Sequence, residues 1–342
     1  MKACQLLAHG QPGRFELRDV RPSPLAPAEV MVRVRACGLN HLDLWLEEAG
    51  LPMPLQLPRT PGGEVAGEIY ACGANVSGWR EGDRVAVQSN LTCGQCEYCR
   101  RGEDSFCLKG ELLGVQRDGG FAEFVAVPAR ALVPLPGKIE FETAAALTLA
   151  GSTAMHMLTD RASVRPGDWV LVIGAASGVG SAAIQIAKGH GARVIATGST
   201  EAKRELALKL GAEFAIDSDS PDWPGEVRRF TGKRGVDLAV EHVGGPVLVR
   251  VFECLARGGT VVTCGATAGR DVTLPLWSLF VKQQRLVGSY SRNRADLVRT
   301  LEWAADGRLK PVIDRVLPLA EAPAAFAALR ARQVLGKLLI RP

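Results

Sequence analysis

No run of about 18 consecutive apolar residues occurs in the chain, so no segment reads as a membrane-spanning helix. The opening residues, MKACQLLAHGQPG, lack the marks of a secretory leader. Their apolar stretch is short, is broken by Gln5, His9 and Gly10, and precedes no small-residue cleavage site. Charge of one sign is also missing. Forty-one Lys and Arg stand against 36 Asp and Glu, a formal net charge of +5, and the two signs are interspersed, which speaks against a nucleic-acid partner. Internal repeats and low-complexity linkers are absent, and the 38 glycines and 20 prolines are spread along the chain as turn residues. What remains is a chain of 342 residues, 47% hydrophobic and 23% charged, of ordinary globular composition. At roughly 100–200 residues per domain this length predicts two domains. The expected location is the cytoplasm.

The pattern changes near residue 150. Before it, Val30, Val32 and Val34 alternate with Met31, Arg33 and Arg35, the period of a half-buried strand. GEVAGEIYA, DRVAVQ and FAEFVAVP repeat the theme between Gly- and Pro-rich turns, which predicts a partly open antiparallel barrel. After it, strands and helices alternate: WVLVI (169–173), a glycine-rich turn, SAAIQIAK, RVIAT (193–197), then EAKRELALKLGA with Gly211 as a C-terminal stop. This alternation predicts a doubly wound parallel sheet over 151–289. The tail from 290 to 342 ends in GKLLIRP, read as a strand returning to the domain built by residues 1–150.

Four of the nine cysteines crowd together as Cys93-x2-Cys96-x2-Cys99-x7-Cys107. Four thiolates so closely spaced can surround one ion tetrahedrally and leave no open position, which describes one structural zinc in a lobe at about 90–110. Cys4, Cys37, Cys72, Cys254 and Cys264 are expected in core packing, as is Trp277. The strand ending at Ile173 runs into Gly174-Ala175-Ala176-Ser177-Gly178-Val179-Gly180 and then a helix. Such a turn sets backbone N–H groups and a helix N-terminus against a pyrophosphate. The expected contacts are Gly174, Ala176, Ser177, Gly178, Val179 and Gly180. At the end of the next strand, Thr197-Gly198-Ser199-Thr200 carries no Asp or Glu to bind a ribose 2′-OH. Gly198 leaves room for a 2′-phosphate, and Ser199 and Lys203 are placed to bind it, so NADP(H) is favoured over NAD(H).

Together these motifs resemble the medium-chain dehydrogenase/reductase superfamily over nearly the whole chain. Gly62-Gly63-Glu64-x2-Gly67 is similar to its Gly-His-Glu-x2-Gly motif, and Cys37-Gly38-Leu39-Asn40-His41-Leu42-Asp43 to its Cys-Gly-x-Cys-His-Thr-Asp motif. The resemblance implies an α/β fold, a GroES-like β-barrel catalytic domain joined to a Rossmann domain. It also implies cofactor contacts at Asn40, Thr153, Val243, Gly265 and Lys337, and a homodimer or homotetramer. Against the zinc-dependent pattern, Asn40, Gly63 and Leu149 stand where the catalytic-zinc ligands belong, and Leu42 where a hydroxyl relays the alcohol proton. Gly38-x-Asn40-x2-Asp43 and Pro61-Gly62-x-Glu64 resemble instead the quinone oxidoreductase branch, which commonly lacks the cysteine lobe. The chain reads as a hybrid: a zinc lobe on a reductase site without catalytic zinc.

Alcohol oxidation relies on zinc to lower the pKa of the bound oxygen, whereas reduction of an activated double bond or quinone does not. The expected substrate is therefore a small quinone or α,β-unsaturated carbonyl. Candidate catalytic residues are Asn40, His41 and Asp43, with Tyr290 a further polar candidate and Glu64 a structural carboxylate. Two other readings stay open: a zinc-type alcohol dehydrogenase with an altered metal site, and a non-enzymatic NADPH-binding protein.

Overall fold

Alternating valine and arginine shape the first part of the chain. The computed structural model describes residues 1–22 and 24–342. They form two units, Met1–Ser152 with Ser291–Pro342, and Thr153–Tyr290. The first unit opens with a hairpin of β1 (Lys2–Ala8) and β2 (Arg14–Asp19). In β3 (Glu29–Gly38), Val30, Val32 and Val34 are buried while Arg33 and Arg35 are exposed. Helix α1 (His41–Glu47) follows directly, then β4 (Glu64–Cys72) and β5 (Arg84–Val87). β4 pairs antiparallel with both β3 and β5, and the Arg35–Glu68 ion pair at 2.6 Å ties β3 to β4 on the outer face. Two short strands, β6 (Asn90–Leu91) and β7 (Glu111–Leu112), frame the cysteine lobe. β8 (Phe124–Pro128) and β9 (Leu132–Pro134) complete this part.

The second unit is a six-stranded parallel sheet. Its strands are β10 (Trp169–Val172), β11 (Arg193–Gly198), β12 (Phe214–Asp217), β13 (Val236–Glu241), β14 (Leu255–Thr263) and β15 (Arg285–Gly288). Their spatial order is β12-β11-β10-β13-β14-β15. All four residues of β10 are buried, as expected of a strand covered on both faces. Helices α2 (Gly178–Gly189) and α3 (Glu201–Leu210) follow β10 and β11. α3 ends at Gly211, whose φ of +110° is a left-handed conformation that favours glycine. The chain order reverses between β10 and β13, the place where doubly wound sheets bind ligands at the carboxyl ends of their strands.

Trp277 does not join the core. It lies on the short helix α4 (Leu276–Val281) and is 75% exposed. The sequence LWSLFV is apolar nearly all round, so one helix face must stay outside. Leu279 packs against the sheet core, and Leu276, Trp277 and Phe280 take the exposed side. Of the cysteines outside the lobe, Cys4, Cys37 and Cys254 are buried, and Cys72 and Cys264 are half-buried.

The chain then returns to the first unit through β16 (Ile313–Pro318) and β17 (Lys337–Arg341). β17 pairs antiparallel with β3 through Leu339–Gly38 and Ile340–Cys37, giving the order β16-β17-β3-β4-β5-β9, with β8 also on β3. The core under this sheet includes Val32, Val65, Ile69, Phe121, Phe326 and Ile340. The β17–β3 register sets Lys337 beside the residues that follow β3.

Candidate functional site

Two of the places that carry chemistry lie in the first unit. In the cysteine lobe the Sγ atoms of Cys93, Cys96, Cys99 and Cys107 all lie within 4.8 Å of one another. The Cys93 and Cys99 sulfurs are 4.0 Å apart, and the Cys93 N–H donates to Cys107 Sγ at 3.2 Å. Around a zinc with Zn–S bonds of about 2.3 Å, tetrahedral sulfurs stand about 3.8 Å apart, so a slight contraction closes this set on an ion. Backbone N–H groups of Gln95 and Cys96 lower the Cys93 thiol, and those of Cys99 and Leu108 bring Cys96 down to about 6. Burial and the neighbouring thiols push Cys99 up to about 12. Four sulfurs this close do not all ionise without a cation between them, which is the chemistry of a zinc donor set.

The second place is where β3 hands over to α1. Asp43 is buried, and its carboxylate accepts the Asn40 N–H at 2.8 Å and the Gly62 N–H at 3.1 Å. Desolvation raises the Asp43 pKa to about 6 against these two hydrogen bonds and the charge of Lys337. Glu64, at the start of β4, is wholly buried and accepts the Leu149 and Ala150 N–H groups at 2.9 and 2.8 Å. The Lys337 ammonium, also buried, lies 2.6 Å from Glu64 Oε2 and donates to Leu39 O and Asn40 Oδ1, each at 2.7 Å. Its three N–H donors therefore have three acceptors inside the unit. The Asn40 amide also donates to Glu64 Oε2 at 3.1 Å. His41, unlike Asn40 and Asp43, is solvent-exposed. It sits among enough protein atoms that desolvation, then the charges of Lys337 and Arg332, holds its imidazole below the usual histidine range.

A second metal does not fit here. Asn40 offers an amide already engaged on both ends, and Leu149 offers a hydrocarbon. Gly63 offers nothing, and a Cβ placed on it would stand 2.8 Å from the Leu113 carbonyl oxygen, closer than real Cβ contacts allow. A histidine at 63 would require the backbone around Leu113 to move.

In the second unit the glycine turn has the form expected of a phosphate cradle. Gly174 has φ +67°, and its N–H donates to Thr197 Oγ1 at 3.1 Å. Ser177 caps α2, its Oγ accepting the Gly180 N–H at 2.8 Å. A Cβ on Gly180 would lie 2.2 Å from the Gly174 carbonyl, so only glycine lets helix and turn approach this closely. Ala176 is buried, and Gly178 and Val179 are half-buried at the helix start. After β11, the Lys203 ammonium donates to Ser199 Oγ at 3.4 Å, with Ser199 exposed and Lys203 half-buried. Arg204, not singled out from the sequence, donates to the Gly198 carbonyl at 3.0 Å and pairs with Asp217 at 3.2 Å. Beyond β13, the Val243 and Gly244 N–H groups donate to the buried Glu241 carboxylate. Burial raises the pKa of that carboxylate. A Cβ on Gly265 would meet the His242 carbonyl at 2.5 Å. Thr153 is buried, whereas Tyr290 is 64% exposed. His242 was also not singled out. Its Nε2 lies 2.9 Å from Ser177 Oγ, and the only sequence signal was a lone histidine directly after a strand.

Comparison with known proteins bears on both units. A family pattern described as "Zinc-binding dehydrogenase" matches residues 178–306, and one described as "Alcohol dehydrogenase GroES-like domain" matches 26–137. An "NAD-dependent alcohol dehydrogenase" of Sulfolobus acidocaldarius is 33% identical, over 100% of this chain and 99% of that protein. A crystal structure titled "NAD-dependent alcohol dehydrogenase" is 41% identical, covers 100% of both chains and superposes with a TM-score of 0.96. A crotonyl-CoA carboxylase/reductase in complex with NADP is 25% identical, with a TM-score of 0.89 over 100% of this chain and 94% of that one.

Proposed function

We propose a function from the premise that this chain belongs to the medium-chain dehydrogenase/reductase superfamily, as a zinc-binding dehydrogenase with a GroES-like domain. It is an NAD(P)-dependent oxidoreductase. Its reaction, in this reading, is reduction of an α,β-unsaturated carbonyl or a quinone with NADPH, with one structural zinc in the cysteine lobe and none at the reacting centre. The observation that supports the reading is the buried pairing of the Lys337 ammonium with Glu64 beside Asn40, together with Asn40, Gly63 and Leu149 standing where the family resemblance would put metal ligands. The reductase relative crystallised with NADP gives the substrate class a precedent within the superfamily.

A bound dihydronicotinamide supplies the hydride. The chain's own residues bind and orient. The turn from Gly174 to Gly180 offers N–H groups and a helix N-terminus to the pyrophosphate, and Ser199 and Lys203 offer a hydroxyl and a cation to a 2′-phosphate. Lys337, Glu64 and Asn40 form a hydrogen-bonded framework at the start of α1. His41, at the solvent side of that framework, is neutral near pH 7 and still donates one N–H, which stabilises the oxygen of a substrate gaining negative charge. The proton that completes the reduction comes from water.

A second reading, alcohol oxidation with NAD, is favoured by the printed names of the relatives. One experiment separates the two: NADPH and NADH oxidation against enones, quinones and aldehydes, run beside NAD(P) reduction by alcohols. Turnover confined to alcohols would remove the reductase reading. Replacing His41 with Phe should lower enone turnover about 10-fold or more while leaving cofactor affinity intact. The chain also self-associates in this proposal. Helix α4 exposes Leu276 and the touching rings of Trp277 and Phe280, and the edge strand β15 exposes Leu286, apolar surface that a second copy would cover. Sedimentation of Trp277→Lys against wild type tests it, with a shift toward monomer expected.

A further inference from the structure

The turn after β10 and the segment after β13 meet where the strand order of the sheet reverses. His242, the first residue beyond β13, reaches back to that turn, with Nε2 at 2.9 Å from Ser177 Oγ. Two glycines make its seat. A Cβ on Gly174 would stand 3.2 Å from Nε2 and 3.4 Å from Cε1, and a Cβ on Gly265 would press on the His242 carbonyl at 2.5 Å. Ser177 has one O–H to donate and two lone pairs to receive. The Gly180 N–H already occupies one lone pair at 2.8 Å.

We propose that His242 is a positioning residue for the dinucleotide: it donates Nε2–H to the second lone pair of Ser177 Oγ, and so leaves the Ser177 proton as the group turned toward the pyrophosphate. The opposite arrangement, with Nε2 accepting the serine proton, presents only a lone pair to an anion and is repulsive. A bound pyrophosphate therefore selects the donor arrangement, and a serine that merely capped the helix becomes a phosphate ligand. Backbone N–H groups of the turn bind the phosphate without regard to His242. The histidine adds one directed side-chain bond to them. The inference rests on the reading that this turn receives the dinucleotide, and it goes beyond that reading by assigning a residue from another strand to it.

The test is a double-mutant cycle on the full-length protein. NADH and NADPH affinities are measured by fluorescence titration for wild type, His242→Ala, Ser177→Ala, the double variant and His242→Gln, with melting curves to confirm folding. Each single alanine variant should weaken both dinucleotides about 5-fold. The double should be no weaker than the worse single variant, because both remove the same bond. His242→Gln, whose amide N–H can take the place of Nε2–H, should recover most of the affinity that His242→Ala loses, which a merely structural role would not predict. Additive losses in the double variant, or affinity untouched by His242→Ala, overturn the assignment while leaving the nucleotide reading standing. A wild type that binds neither dinucleotide overturns both.

Discussion

The cysteine lobe and the cluster around Lys337 lie in the same unit and handle positive charge in opposite ways. The lobe gathers four thiols whose negative forms repel one another until a cation arrives from solution. The cluster carries its own cation: the Lys337 ammonium is bonded to Glu64, Asn40 and the Leu39 carbonyl. In the proposed reading, one fold keeps or loses each metal site independently. The lobe needs only its own close spacing, whereas a second site of the zinc-dependent pattern that the sequence resembles would need residues brought together from three distant stretches, at 40, 63 and 149. Here those stretches hold an amide, a bare backbone and a hydrocarbon.

The largest effect expected from this contrast falls on the lobe. Replacing Cys96 with Ser should release the metal and expose residues 93–107 to limited proteolysis, since structural zinc contributes about 10–16 kcal/mol of apparent binding energy. The β10–β15 sheet should keep its dinucleotide affinity. Next comes Lys337→Met, which strands the wholly buried Glu64 carboxylate and should destabilise the protein by about 3–5 kcal/mol in a denaturant titration. Adding Glu64→Gln should restore part of that loss. A Lys337→Met protein as stable as wild type would break the contrast, because the cluster would then not depend on its internal cation.

Asp43 gives a pH-dependent effect of intermediate size. Its pKa is raised from 3.8 to about 6, so the folded protein holds this proton more tightly than the unfolded chain. Its contribution to stability is fully present below about 3.8 and is lost as pH rises through about 6. The difference is up to about 3 kcal/mol at 1.36 kcal/mol per pKa unit. The melting temperature of wild type relative to Asp43→Asn should therefore fall between pH 4 and pH 7, and a flat difference would contradict it. The smallest effect lies outside both regions and serves as their control. Lys203→Ala should weaken NADPH about 5- to 10-fold and NADH less than 2-fold, with zinc content unchanged.

Much of this was legible in the residues. The alternation of Val30, Val32 and Val34, the apolar run at Trp169–Val172 and the stop at Gly211 announced their elements because each is a local matter of period or backbone conformation. The four cysteines were legible for the same reason. The Lys337 cluster was not, since the return of the tail strand to the first domain was legible but its register on β3, which brings Lys337 to Asn40, was not. His242 escaped notice likewise, because its partner Ser177 lies on a different strand's turn. Trp277 departs from the expected core packing because a six-residue helix that is apolar nearly all round has one face more than the core can cover.

The most direct test of the account is a zinc count per chain, made in parallel on wild type and on Cys96→Ser after removal of loosely bound metal. The expected values are one and zero. Two zincs in wild type, with one still held by the variant, would mean that an ion sits beside Asn40 after all, and that the Lys337 cluster does not take the place of a metal.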